Sequence, residues 1–257
     1  MLNGGSPDIL VMRSSMYRES RHAAKSTQTE RSDMKILDPV KELKAALTDE
    51  LHIDPRKNPI HCGMESLSLL IEGTVERVSQ KKRALLKAMV LAGSEGVIDR
   101  LKVRPATAMS DAEIMKHLID ALDGEPTLKS CGIKVEVRDG IVDLEGEVSS
   151  LSHKRLAGVL AWWVPGSVDV INSIEVVPPE EDSDDEVVDA LMLVLEKDTL
   201  VDASSIRTTA SNWVVTLTGV AHSEIEKEAA EDDAWYVWGV NEVVNNIKVE
   251  ARAHGRT

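Results

Sequence analysis

The sequence predicts an α+β fold of three tandem αββαβ units, each with a three-stranded mixed sheet and two helices on one face. Two sets of glycines recur with a period of 73 residues, the second set 20 residues after the first: Gly73, Gly146 and Gly219, then Gly93, Gly166 and Gly239. Apolar runs precede the first set and follow the second. Such a fixed period indicates copies of one supersecondary unit. The chain contains no Phe, so each small core must be built mainly from aliphatic residues.

The period divides the chain into four parts. These are an N-terminal arm predicted to be disordered (1–38), segment 1 (39–105), segment 2 (111–179) and segment 3 (184–251). The arm mixes Ser, Thr, Arg, Glu and Gln without periodicity, which is typical of disorder. The alternative is a targeting or docking tail that uses its basic residues, Arg13, Arg18, Arg21 and Lys25. Because the linkers 104–109 and 178–183 contain proline, we expect three independently folding units.

A helix is predicted first in each segment. Apolar residues spaced i, i+4 and i+8 form one stripe on it. These residues are Leu43, Leu47 and Leu51, then Ile114, Leu118 and Leu122, then Val187, Leu191 and Leu195. In segment 2, Ser110 followed by Glu113 is typical of a helix N-terminus.

Two strands and a second helix are predicted next. In segment 2 the strands cover 133–138 and 141–148, and Asp139-Gly140 between them indicates a two-residue hairpin. The second helices are expected near 79–92, 152–164 and 225–237. The third strands are expected at 98–103, 170–176 and 243–249. A helix between the second and third strands is a crossover, so these strands should be parallel.

The six recurring glycines are predicted to be structural. Gly73, Gly146 and Gly219 end a strand, where a bulge or close packing excludes a side chain. The second set should occupy helix C′ positions with positive φ.

The second helix carries the candidate binding surface. Its alanine columns, for example Ala84, Ala157 and Ala230, should face the sheet. Two further columns lie roughly 120–140° away on the helical wheel and should be partly exposed. With one neighbouring tryptophan they form the predicted partner- or lipid-binding set: Met89, Val90, Trp162, Trp163, Trp235, Tyr236 and Trp238. The alternative is that these side chains pack on the first helix and on a neighbouring segment.

No arrangement of residues predicts catalysis, so we expect no enzyme activity, catalytic residue, metal site or cofactor. The cluster Ser149, Ser150, Ser152 and His153 is interpreted as a helix N-terminus, followed by Lys154 and Arg155 in solvent. Cys62 and Cys131 are interpreted as reduced thiols, because they occupy different repeat positions and form no metal-binding pattern.

Charge is unevenly distributed along the chain. Segment 1 and its linker (39–110) carry 12 Lys and Arg against 9 Asp and Glu, whereas residues 181–257 carry 6 against 17. Nucleic-acid partners are therefore not expected, because phosphate binding needs clustered cations. No run of about 18 apolar residues predicts a membrane span.

The pattern resembles the BON domain family, named for bacterial osmotically inducible periplasmic and nodulation proteins. The resemblance lies in the Leu/Ile-x-Gly-x-Val element at the end of strand two and in the runs 166–176 and 239–249, which share Gly, Val, Asn, Ile and Val at matching positions. Segment 1 diverges: Asp99 replaces Asn172 and Asn245, and its hairpin Glu65-Ser66 lacks glycine. The resemblance implies a non-enzymatic module of envelope and stress proteins that binds phospholipid surfaces or proteins.

We therefore expect a cytoplasmic scaffold that binds a protein partner or forms a homo-oligomer. A periplasmic location would follow if the true start lies upstream with a leader. The alternative is a peripheral phospholipid-binding stress protein, in which Lys81, Lys82, Arg83 and Lys87 would face the membrane. A weaker alternative is a cytosolic cation or small-ligand sensor built on Asp182, Asp184, Asp185 and Glu186.

Overall fold

The structure, a computed structural model, describes residues 38–250 and shows an α+β fold of helices and small sheets. It divides into two compact units, one of residues 38–75 and 80–102, the other of 76–79 and 103–250. The predicted arm lies outside the described residues except for Asp38. The Asp38 carboxylate caps the first helix by accepting hydrogen bonds from the backbone N–H groups of Val40 and Lys41.

The elements of segment 1 are α1 (Pro39–Asp49), β1 (Ile60–Glu65), β2 (Ser68–Val75), α2 (Val78–Ala92) and β3 (Val97–Val103). The strand order is β1-β2-β3. Leu43 and Leu47 are buried as predicted, but Leu51 lies beyond the end of α1. The hairpin turn was predicted one residue too early: Glu65 pairs with Ser68, so Ser66 and Leu67 form the turn.

The remaining elements belong to the larger unit. They are α3 (Asp111–Gly124), β4 (Lys134–Arg138), β5 (Ile141–Glu145), β6 (Glu147–Val148), α4 (Leu151–Trp163), β7 (Asp169–Asn172), β8 (Glu175–Val176), α5 (Asp184–Lys197), β9 (Ile206–Ser211), β10 (Val214–Ala221), α6 (Glu224–Tyr236) and β11 (Glu242–Val249). The capping box predicted at Ser110 and Glu113 is confirmed, and all six predicted stripe residues of α3 and α5 are buried.

The sheets are mixed, as predicted. In the order β4-β5-β7, β5 pairs antiparallel with β4 and parallel with β7. In the order β11-β10-β9, β10 pairs parallel with β11 and antiparallel with β9. Segment 2 differs from its prediction in one respect: its second and third strands are interrupted, and β6 and β8 form a separate parallel pair.

The first helix of each BON-like segment in the larger unit holds the hairpin of that segment. The Asp111 carboxylate accepts hydrogen bonds from the N–H groups of Asp139 (3.0 Å) and Gly140 (2.8 Å). Asp184 accepts equivalent bonds from Asn212 and Trp213, both at 2.8 Å. The turn residues have positive φ, as a two-residue hairpin of this type requires. One carboxylate therefore satisfies two turn donors and fixes the hairpin to the helix.

A recurring asparagine joins the second helix to the third strand. The Asn172 side-chain amide donates to the Lys154 carbonyl at 2.7 Å, and its carbonyl accepts from Ile174 N–H at 3.3 Å. Asn245 makes the equivalent bonds in segment 3. In segment 1, Asp99 accepts from Leu101 N–H and pairs with Lys81 Nζ at 3.0 Å. In segment 1 a lysine side chain on the second helix thus forms the bond to the third strand.

Segments 2 and 3 share one apolar core. Helix α4 lies against both α5 and α6. Buried residues of all these helices and of their sheets form a continuous cluster. The predicted boundary at 178–184 therefore separates two segments whose cores are joined, so we expect them to unfold together.

Positive φ at the second set of glycines was predicted, and this is wrong at Gly166, whose φ is not positive. Close packing explains that glycine instead: a β-carbon there would lie 2.7 Å from Met109 Cβ and 2.8 Å from Ile114 Cγ1. At Gly219, φ is +127° and a β-carbon would collide with the Ser205 carbonyl oxygen. Any L-residue at Gly219 is therefore strained by both backbone and contact.

Candidate functional site

The predicted surface residues fall into three environments. Trp235 is buried with 2% of its surface exposed, so its predicted partial exposure is wrong. Trp162, Trp163 and Tyr236 are half-buried. The exposed members are Met89 (40%), Val90 (70%) and Trp238 (43%). Most of the aromatic set in segments 2 and 3 therefore lies in the contact between these two segments.

Helices α4 and α6 meet through aromatic side chains. The Trp162 and Tyr236 rings stack with centroids 6.2 Å apart and planes at 13°. Offset stacking of this kind adds about 0.5–1.5 kcal/mol beyond burial. Beside the stack, the Trp163 indole N–H donates to Asp233 Oδ1 at 2.9 Å. The second helices of both segments thus bind each other rather than leaving their aromatic faces in solvent.

Asp233 is a carboxyl group enclosed in this contact. Only 2% of the residue is exposed, and no hydrogen-bond donor reaches its Oδ2 atom unless it shares a proton with the Asp198 carboxyl. Burial raises the pKa of Asp233 to about 8, and the Asp198 and Asp232 carboxyls act in the same direction. The Trp163 hydrogen bond opposes that rise. A neutral carboxylic acid is therefore the form that suits this position near pH 7.

Arg155 is a second enclosed charge, and the prediction that it lies in solvent is wrong. Its side chain is fully buried. Nε donates to the Trp238 carbonyl at 2.9 Å, and Nη2 pairs with Asp182 Oδ1 at 2.5 Å. The guanidinium also lies 5.7 Å from the Trp238 ring centroid. Arg155 therefore ties segment 2 to the linker through Asp182 and to segment 3 through Trp238.

Two of the basic residues proposed to face a membrane instead form contacts within the protein. Lys81 is buried and donates to the Leu101 carbonyl at 2.5 Å, so its predicted membrane-facing position is wrong. Lys87 pairs with Glu50 at 2.7 Å. Lys154 lies over the exposed Trp238 ring at 5.7 Å from its centroid, and burial lowers its pKa.

The acidic run proposed as a cation sensor has structural partners. Asp182 pairs with Arg155, Asp184 holds the hairpin, and Ser183 caps α5 through Glu186 N–H. Among residues 38–250 no cluster of three or more His, Cys, Asp or Glu side chains could hold a metal ion.

The other polar groups singled out in the sequence also have structural positions. Ser150 caps α4 by accepting from His153 N–H at 3.2 Å, which confirms the predicted helix N-terminus. Cys62 and Cys131 are free thiols, and burial raises the pKa of Cys62. Within the described part of the chain, no helix is long and apolar enough to cross a membrane.

The sequence interpretation missed Asp233 and Arg155. Asp233 gave no clear indication, because its repeat positions in the other segments hold Lys87 and Leu160. Arg155 has no such indication, because its repeat positions in the other segments hold Lys82 and Glu228. The hairpin clamp could have been found, because Asp111 and Asp184 are 73 residues apart.

The BON domain model matches residues 110–178 and 183–251, together more than half of the chain. The chain belongs to the BON domain family. Osmotically-inducible protein Y of Escherichia coli (strain K12) is 29% identical over 140 residues, which cover 52% of this chain and 69% of the relative.

Two solved structures show a weak similarity. One is of CdsD, described as a structural protein of the type III secretion system of Chlamydia trachomatis, with 17% identity, a TM-score of 0.24 and coverage of 83% of this chain and 95% of that one. The other is of the CdsD C-terminal domain, with 16% identity, a TM-score of 0.23 and coverage of 85% and 99%. TM-scores this low carry no further conclusion for this chain.

Proposed function

We propose that this protein is a non-catalytic scaffold of three BON-like units, which binds a protein partner or a second copy of itself through its second helices. The observation that carries the proposal is the contact between α4 and segment 3. There the second helix of one BON unit binds the helices of another through Trp163, Arg155 and the Trp162–Tyr236 stack. This chain therefore contains an example of association between BON units.

Segment 1 is proposed as the third, divergent copy. Its elements follow the order helix, strand, strand, helix, strand, and so do those of segments 2 and 3. Lys81 and Asp99 occupy the repeat positions of Lys154 and Asn172 and join the same helix to the same strand. The first glycine set continues into it at Gly73.

The free second-helix face of segment 1 is the proposed binding surface. Met89 and Val90 occupy the repeat positions of Trp162 and Trp163, and they are exposed. In segment 2 those positions contact another BON unit. Exposed apolar residues at the same place on α2 fit a protein interface of the same kind. The relative named osmotically-inducible protein Y supports a role in an osmotic stress response.

Size-exclusion chromatography with light scattering tests this surface. Wild-type protein is expected to show a mass that rises with concentration, and Met89→Lys/Val90→Lys to remain monomeric. Leu67→Lys is the matched control, because Leu67 is 72% exposed in the turn of the same segment. The control should associate like wild type. A double variant that folds and associates like wild type would remove α2 from the proposal.

The alternative is a peripheral phospholipid-binding protein, which the exposed Trp238 ring beside Lys154 favours. Tryptophan suits a membrane–water boundary. Co-sedimentation with anionic vesicles at low and high salt tests it, because electrostatic docking weakens with salt. Binding lost in Trp238→Ser would support this alternative, and no co-sedimentation at low salt would exclude it. The cytoplasmic location, or a periplasmic one, stays a prediction that cell fractionation can check.

A further inference from the structure

We propose that the contact between segments 2 and 3 is a pH-sensitive junction, closed when the Asp233 side chain carries a proton and loosened when it does not. The inference is independent of the proposed partner. It concerns what holds the two BON units together.

The surroundings of Asp233 do little to stabilise a negative charge on its carboxyl group. Its Oδ1 has one donor, the indole of Trp163 on α4. Its Oδ2 is buried without a donor, and the Asp198 carboxyl beside it can form a hydrogen bond with Asp233 only if one of the two carries a proton. A buried carboxylate usually needs a counterion or several donors, and an uncompensated charge is costly. A protonated carboxyl needs no counterion, because it is neutral, and it still accepts the indole hydrogen bond.

The charged groups around Asp233 increase this preference. Asp198 at the end of α5 and Asp232 on α6 are further carboxyls, and both raise the pKa of Asp233. The Arg77 guanidinium pairs with Asp232 at 3.8 Å. Tyr236, one turn along, has its pKa raised by burial and by these same carboxyls, so it stays neutral. No side chain in the described part of the chain forms an ion pair with Asp233.

The sign of the effect follows from comparing the two states. The pKa of Asp233 is about 8 in the closed junction and near its ordinary value of 3.8 once the side chain is hydrated. The closed state therefore binds the proton more tightly, and its advantage is complete below about pH 4. The opening equilibrium then rises by roughly tenfold per pH unit until the closed-state pKa is reached, and levels above it.

Opening would expose the face of α4 that segment 3 covers. That face carries Trp162 and Trp163, which contact Tyr236 and Asp233. The junction would thus convert a rise in pH between about 6 and 8 into exposure of an aromatic helix face. The other enclosed charge of this contact, Arg155, is paired with Asp182.

Hydrogen exchange of the full chain tests the junction. After correction for intrinsic rates, the amides of α4 and α6 should exchange through an opening that increases roughly tenfold per unit from pH 6 to pH 8. Asp233→Asn keeps an acceptor for Trp163 and cannot ionise, so its opening should not change with pH. Asp120→Asn, an exposed position on α3, should behave like wild type. A pH-independent wild type, or an Asp233→Asn variant that keeps the wild-type slope, would overturn the proposal.

A measurement without substitutions covers the case in which Asp233→Asn does not fold. The carboxyl carbon of Asp233 can be followed by NMR through a pH titration of the wild-type chain. A midpoint near 8 supports the junction, and a midpoint below 5 overturns it.

Discussion

The paired charges Arg155 and Asp182 predict an asymmetric response to mutation. The guanidinium is fully buried, whereas 24% of the Asp182 side chain is exposed. Removing the carboxylate leaves a cation that water cannot reach. Removing the cation leaves a carboxylate that water can hydrate. Asp182→Ala should therefore destabilise the larger unit more than Arg155→Met does.

The expected magnitudes follow from the contacts. Breaking a buried pair so that one charge remains uncompensated costs about 3–5 kcal/mol. Because Nε keeps its bond to the Trp238 carbonyl, we expect about 3 kcal/mol for Asp182→Ala, at the lower end of that range. In Arg155→Met the methionine fills the volume of the arginine stem, and the Trp238 carbonyl loses one donor, which costs about 1–2 kcal/mol. The difference, about 1–2 kcal/mol, corresponds to roughly 2–8 °C in Tm for a unit of about 150 residues.

Urea unfolding and thermal melts of the full-length variants give these values. The double variant should cost little more than Arg155→Met alone, because the carboxylate has no buried charge left to neutralise. If Arg155→Met costs as much as Asp182→Ala, the buried charge is not what makes this pair important.

Two further predictions concern backbone geometry and the hairpin clamp. Gly219→Val should destabilise the protein by a few kcal/mol in thermal melts, because φ at this position is positive and a β-carbon has no space. Gly124→Ala is the control: a β-carbon there has nothing within 4 Å, so this variant should be neutral or stabilising. An equal response of both would show that the Gly219 backbone is not constrained. Asp184→Asn replaces one acceptor of the hairpin N–H groups by a donor facing Trp213, and it should cost about 1–2 kcal/mol in urea unfolding. The control is Asp185→Asn at the exposed neighbouring position, which should cost little. Equal costs for the two variants would contradict the clamp.

Local structure was largely predictable from the sequence. The stripe of Ile114, Leu118 and Leu122 is buried on α3, and Asp139-Gly140 forms the expected turn. The parallel pairing of β5 with β7 follows from the crossover helix between them. These features depend on spacing and turn chemistry within a few residues, which the sequence displays directly.

The position of the aromatic helix face was decided by tertiary structure. Periodicity shows which side of a helix faces its own sheet, but not what covers the other side. The bond from Trp163 to Asp233 joins residues 70 positions apart, and that from Arg155 to the Trp238 carbonyl spans 83. Burial of both charged groups depends on how two folded segments meet. Residue spacing within one segment does not predict the contact between two segments, because that contact depends on the combined shape and polarity of both surfaces.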